Sequence, residues 1–158
     1  MKRLLILVLL LLSIFITGCN GKQKVELEDI YGKYYYKECV YLNERNVFNK
    51  DALNDAYKDV ARYSIKESTF AFYQTESQTP TISLKHINYK EVDVDENIES
   101  KEVKKLLKKC TTRFDIYRLE ISQGYSFAFD GDNVYFIEFR STNNVHEVWH
   151  IFSLEKRD

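Results

Sequence analysis

The chain has 158 residues, with 23 basic and 24 acidic side chains and a net charge of −1. That balance lacks the basic excess of a nucleic-acid-binding chain, and a mean hydropathy of −0.42 describes a soluble domain. Aromatic residues make up 15%, including 12 Tyr and 10 Phe against 5 Gly and 1 Pro, which favours strands whose rings fill a core or line a cavity.

The chain opens with Met1-Lys2-Arg3 and an apolar run over 4–16 in which Ser13 is the one polar residue. A membrane-spanning helix needs about 20 apolar residues, and this run stops short at Gly18-Cys19-Asn20-Gly21-Lys22. A basic start, an apolar core and small residues before a cysteine make a cleavable export signal. The stretch Ile16-Thr17-Gly18-Cys19 resembles the lipobox of bacterial lipoproteins. The resemblance implies cleavage after residue 18 and a diacylglycerol on Cys19, placing the protein in the bacterial cell envelope, lipid-anchored and extracytoplasmic. In a cell with two membranes, Asn20 after the lipidated position implies the outer one. Each buried CH₂ contributes about 0.8 kcal/mol, so two acyl chains hold a protein on a bilayer where one does not. Residues 1–18 are then the signal peptide, 19–29 a lipidated polar tether and 30–158 a single β-rich domain. Loss of Lys2 and Arg3 takes the formal charge from −1 to −3.

Residues 32–42 read as the first strand, aromatic and β-branched on both faces. Over 49–63 the period changes: Leu53, Ala56, Tyr57, Val60 and Ala61 recur at helical spacing, with Asn49 as N-cap. Segments 63–73 and 81–92 read as strands around a turn at 74–80. A second helix over 100–110 carries the stripe Val103, Leu106, Leu107 and Cys110, preceded by acids and ended by Lys108 and Lys109. Strands follow at 114–121, 125–129, 134–139 and 145–154, the first with Tyr117, Leu119 and Ile121 on one face, and Asp130-Gly131-Asp132-Asn133 forms a hairpin turn. About seven strands and two helices without βαβ alternation predict a mainly β (α+β) domain. Its form would be an antiparallel barrel or strongly curved sheet with two packed helices. The first helix would cover an open end or face and the second another.

Gly32-Lys33-Tyr34 resembles the Gly-x-Trp start of lipocalin-type barrels, with Tyr34 in place of Trp. That likeness covers about a dozen residues. It implies an antiparallel barrel with a cavity for a small apolar ligand.

Once Cys19 carries lipid, Cys39 and Cys110 remain. An oxidising compartment permits a disulfide between them, and two separate buried thiols are the alternative.

His146-Glu147-Val148-Trp149-His150 matches HExxH, in which a helix brings two histidines to one zinc and the Glu activates water. Here the surrounding residues are β-branched and aromatic. On a strand, positions four apart lie about 13 Å from each other and share no metal. Only eight residues follow His150, which leaves no room for a downstream third ligand, and His86 falls on another strand. Asp93-Val94-Asp95-Glu96-Asn97 opens like a calcium loop, but the EF-hand glycine and final glutamate positions hold Ile98 and Lys104. No P-loop, C-x-x-C, G-x-S-x-G or cofactor motif is present.

The sequence therefore points to an anchored, non-enzymatic domain that binds a small apolar ligand or a protein partner, without nucleic acid, metal or cofactor. A metal-dependent hydrolase using His146, Glu147 and His150 is one alternative. An anchored inhibitor or immunity-type protein is the other.

Overall fold

The computed structural model describes residues 24–118, 121–142 and 145–157. Among them, nine antiparallel strands form one sheet in the order β4-β3-β2-β1-β9-β8-β7-β6-β5. They are β1 (Gly32–Leu42), β2 (Arg62–Lys66), β3 (Thr69–Tyr73), β4 (Ile82–Lys85), β5 (Asn88–Val92), β6 (Thr112–Arg118), β7 (Ile121–Phe129), β8 (Val134–Thr142) and β9 (Val145–Lys156). The first and last strands pair at the centre, with Tyr36 opposite Leu154 and Leu42 opposite His150. Each half of the sheet is a meander running outward from that pair.

Nine strands replace the expected seven because two of the runs each break into two strands. The 63–73 run turns at Glu67-Ser68 into β2 and β3. The 81–92 run breaks at His86, whose φ of 56° ends β4 before β5 begins. Ile87, next to it, swings into the core and its N–H donates to the Ser68 carbonyl at 3.2 Å.

The sheet is curled into a half-barrel. Four strands separate β3 from β7 in the sheet order, so a flat sheet would hold them about 24 Å apart. The rings of Phe70 on β3 and Phe127 on β7 instead lie 5.5 Å apart. Register shifts in β1 after Tyr36 and Cys39, and between β8 and β9 at Glu138/Phe139, supply local bends that add to the natural twist. Gly124 permits a close approach on β7, since a Cβ there would sit 2.2 Å from the Phe139 carbonyl oxygen.

The concave face holds the larger core. Phe136 is its centre, with ring centroids 5.0 Å from Tyr63, 5.7 Å from Phe70, 5.5 Å from Phe127 and 6.5 Å from Phe152. Each fully buried Phe or Leu contributes about 1.5–3 kcal/mol, and favourable ring pairs add about 0.5–1.5 kcal/mol. Helix α1 (Lys50–Tyr57) covers this face at one end through Leu53 and Tyr57. Asn49 caps it, accepting from Ala52 N at 2.8 Å. The helix ends at Tyr57, short of the expected residue 63, because Asp59 takes a left-handed φ of 67° and sends Val60 and Ala61 into the turn before β2.

The convex face is covered by α2 (Lys101–Leu107), with Val103 and Leu107 fully buried against Ala128, Tyr135, Ile137 and Ile151. Ser100 caps it through Val103 N at 3.3 Å. On β6 the inward residues are Phe114 and Ile116. Tyr117, expected on the apolar face, is 48% exposed because those two neighbours set the opposite phase. Leu119 lies outside the described residues, as does the side chain of Ile121.

Residues 24–29, read from sequence as tether, pack on the domain. A 3-10 turn at Leu27–Ile30 is closed by Glu26 and Asp29, and Val25 N donates to Thr112 Oγ1 at 3.3 Å. Cys39 belongs to the inner core and Cys110 to the outer one. The two lie in different cores and are not joined to each other in this structure.

Candidate functional site

Cys19 and the expected export signal lie outside the described residues. The HExxH stretch lies wholly on β9, opposite β8. Its glutamate, Glu147, forms an ion pair with Arg45, and the side chain of His146 lies outside what is described. Trp149 is the extra residue of the bulge, stacked on the Arg140 guanidinium at 4.5 Å, and His150 turns inward. The bulge thus sends neighbouring members of the motif to different faces. A strand spacing of about 13 Å parts its two histidines.

His150 stacks on Phe152 with centroids 4.0 Å apart, and its Nε2 lies 3.4 Å from Glu138 Oε2. Burial, helped by the charge of Arg140, holds its pKa down to about 3, so the ring is neutral in the folded state. Glu138 is drawn instead to Arg140, whose Nε donates to it at 2.8 Å. The Tyr63 hydroxyl nearby is buried with no hydrogen-bond partner among the described residues, and burial pushes its pKa well up. Tyr36 donates to Asn54 Oδ1 at 2.6 Å, joining the sheet to α1. Burial likewise pushes the Cys39 thiol up to about 11, which keeps it protonated and a poor nucleophile. These groups hold the inner core together.

Arg113 accounts for the calcium-like stretch. Its guanidinium is 1% exposed and donates to the carbonyl oxygens of Val94 at 3.0 Å and Glu96 at 2.8 Å, while pairing with Asp115. A side-chain cation therefore organises that loop. Among the described residues, no three His, Cys, Asp or Glu converge on a point that could hold a metal ion.

The surface differs between the two ends of the sheet. At the end where the chain enters, Lys24, Val25 and Tyr34 border the Asp130–Asn133 turn around a cleft of about 440 Å³. β1 leads away from there to the far end. A cleft of about 490 Å³ opens at that end between loop 43–49 and the start of α2, lined by Glu44, Arg45, Glu99, Ser100, Glu102 and Glu147. Beside it, Val47 is 90% exposed and Phe48 59% exposed.

Loop 43–49 is held in place by its own asparagines. Asn43 N–H donates to the Trp149 carbonyl at 2.9 Å, and its Nδ2 to Val148 O at 3.2 Å. Arg45 N donates to Asn43 Oδ1 at 3.0 Å, and Phe48 N to Asn46 Oδ1 at 3.0 Å. Each such turn fixes backbone that would otherwise be free. Val47 and Phe48 are thus presented outward on a preorganised loop. Sequence reasoning missed them, because two apolar residues between asparagines carry neither helical nor strand periodicity. The signal that could have found them is that interruption: an apolar pair in a turn-forming stretch with no core face to join. No protein-family model, curated protein or solved structure matches the chain.

Proposed function

We propose that the protein is a lipid-anchored, extracytoplasmic binding domain that holds a protein partner at the end of its sheet farthest from the anchor. The observation that carries this reading is loop 43–49, which three asparagines fix in a shape that exposes Val47 and Phe48. An exposed apolar pair on a rigid loop loses little entropy on binding and buries apolar area when a partner covers it. The adjoining cleft supplies carboxylates from Glu44, Glu99 and Glu102 for a polar rim.

The anchor reading rests on Ile16-Thr17-Gly18-Cys19. With lipid on Cys19 the entry end faces the bilayer. The 11 residues of β1 then carry loop 43–49 up to roughly 35 Å away. Between the two binding modes open to a β domain, the crowded rings around Phe136 favour surface recognition over a ligand held inside. An inhibitor or immunity-type protein would be the tight-binding form of the same arrangement.

The test is site-specific cross-linking in the native cell. A photoreactive residue at Phe48 is expected to give a discrete protein adduct, and one at exposed Lys66, on the β2–β3 turn, none. Equal, diffuse labelling from both positions would contradict the proposal.

A further inference from the structure

Helix α2 has a second face. Lys101, Lys104, Lys105 and Lys108 follow the spacing i, i+3, i+4, i+7, which puts them on one side, opposite buried Val103 and Leu107. All four are exposed. Like charges at this spacing repel, and each pair costs a helix a few tenths of a kcal/mol. One of the four has an ion pair, Lys104 with Asp95 at 4.0 Å; Lys101, Lys105 and Lys108 make none among the described residues. Lys104, Lys105 and Lys108, with Asp95 as the one acid among them, also rim a depression of about 520 Å³ floored by Val94, Leu107 and Cys110.

The stripe lies close to the point where the N-terminal chain leaves the fold. Val25 is bonded to Thr112, and Lys108 is four residues before Thr112, so at most about 14 Å of chain separates them. Five steps join Cys19 to Lys24, a reach of at most about 18 Å. α2 runs from the far cleft at Ser100 to the entry end, where Lys109 pairs with Asp130.

We infer that the lysine face of α2 is a second membrane contact, docking on the headgroups of anionic phospholipids beside the lipid anchor. The inference rests on the anchored reading for where the bilayer lies. Basic rim and apolar floor match a headgroup and its glycerol, and the short tether lets the stripe come within the roughly 10 Å over which such attraction acts. The contact would also fix orientation. A chain on a flexible tether can tumble, whereas one held at Cys19 and at α2 keeps the α2 side of the sheet toward the bilayer.

The experiment uses the unlipidated chain from Asn20 to Asp158, which retains every strand, both helices and both cores described above. It is sedimented with vesicles of phosphatidylcholine alone and of phosphatidylcholine with phosphatidylglycerol. Binding is expected to the second only, and to fall away at high salt. Each lysine near an anionic surface strengthens binding about fivefold, so Lys101→Gln/Lys105→Gln/Lys108→Gln should weaken it at least about tenfold. Lys33→Gln/Lys66→Gln, away from the stripe, should not. Melting curves verify that both variants fold. Equal binding to the two vesicle types, or undiminished binding of the α2 variant, would overturn the inference. This chain carries no lipid, so either result leaves the Cys19 reading untouched. That reading fails on a separate observation, an unacylated Cys19 in cells.

Discussion

Asp130 collects more partners than any other carboxylate described here. Its Oδ1 accepts from Asp132 N and Asn133 N at 3.1 and 2.8 Å, and its Oδ2 accepts from the Tyr135 hydroxyl at 3.0 Å. Burial pushes its pKa up, but the bonds from Asn133, Asp132 and Tyr135 outweigh that and hold it below the usual aspartate value. A carboxyl depressed in the folded state stabilises above its unfolded pKa, and the contribution is lost as pH falls through the folded one. Asp130→Ala should therefore cost about 1–3 kcal/mol near neutral pH, with a gap from the parent that closes in acid. Urea unfolding at both pH values reads this directly, and a pH-independent gap would mean the carboxylate's charge does not matter. His150 also loses stability in acid, for a different reason. The unfolded chain takes up a proton near pH 6.5, whereas the folded one resists until about 3. Its contribution is whole above about pH 6.5 and fades below, by about 2 kcal/mol at pH 5. His150→Phe, which keeps a ring between Phe136 and Phe152, should flatten that part of the pH profile. An unchanged profile would mean that His150 is not held neutral.

Elements were legible wherever periodicity was strong. Of the stripe Val103, Leu106, Leu107 and Cys110, three are buried and Leu106 is half-buried, and Asn49 caps the helix it precedes. The DGDN turn joins β7 to β8. Breaks inside long apolar runs were harder to see. Glu67-Ser68 reverses the chain and His86 breaks it between strands at opposite sheet edges, both without a glycine or proline, the strongest local signals of a turn. Register was hidden too, because a bulge shifts which residues face the core and leaves no mark in composition. Trp149 and inward-facing His150 show this, since the bulge leaves Trp149 unpaired beside His150 within the HExxH stretch. In α2, Leu107 is fully buried between the helix and Ile137 and Ile151. Leu107→Ala should destabilise by about 2–5 kcal/mol, measured by thermal or urea unfolding. A change near zero would mean that α2 is not part of the core.

Across the whole molecule, the pairing of β1 with β9 sets a long axis with unlike ends. The chain enters at one end beside the lysines of α2, and the other bears the carboxylate-lined cleft with Val47 and Phe48. Nothing in the order of residues announces this polarity. It arises because β1 carries loop 43–49 away from the N-terminal segment while α2 runs back toward it. The candidate site was accordingly less legible than the fold: Cys19 was read from a local motif, but the exposed loop required the three-dimensional arrangement. The proposed lipid anchor would give that polarity its meaning, by deciding which end faces the bilayer. The most direct measurement is intact mass spectrometry of the protein from the membrane fraction of its own cells, beside a Cys19→Ser variant. The account expects a chain beginning at Cys19 with the added mass of a diacylglyceryl group, and a variant absent from that fraction. An unmodified Cys19, or a variant still retained in the membrane, would contradict it.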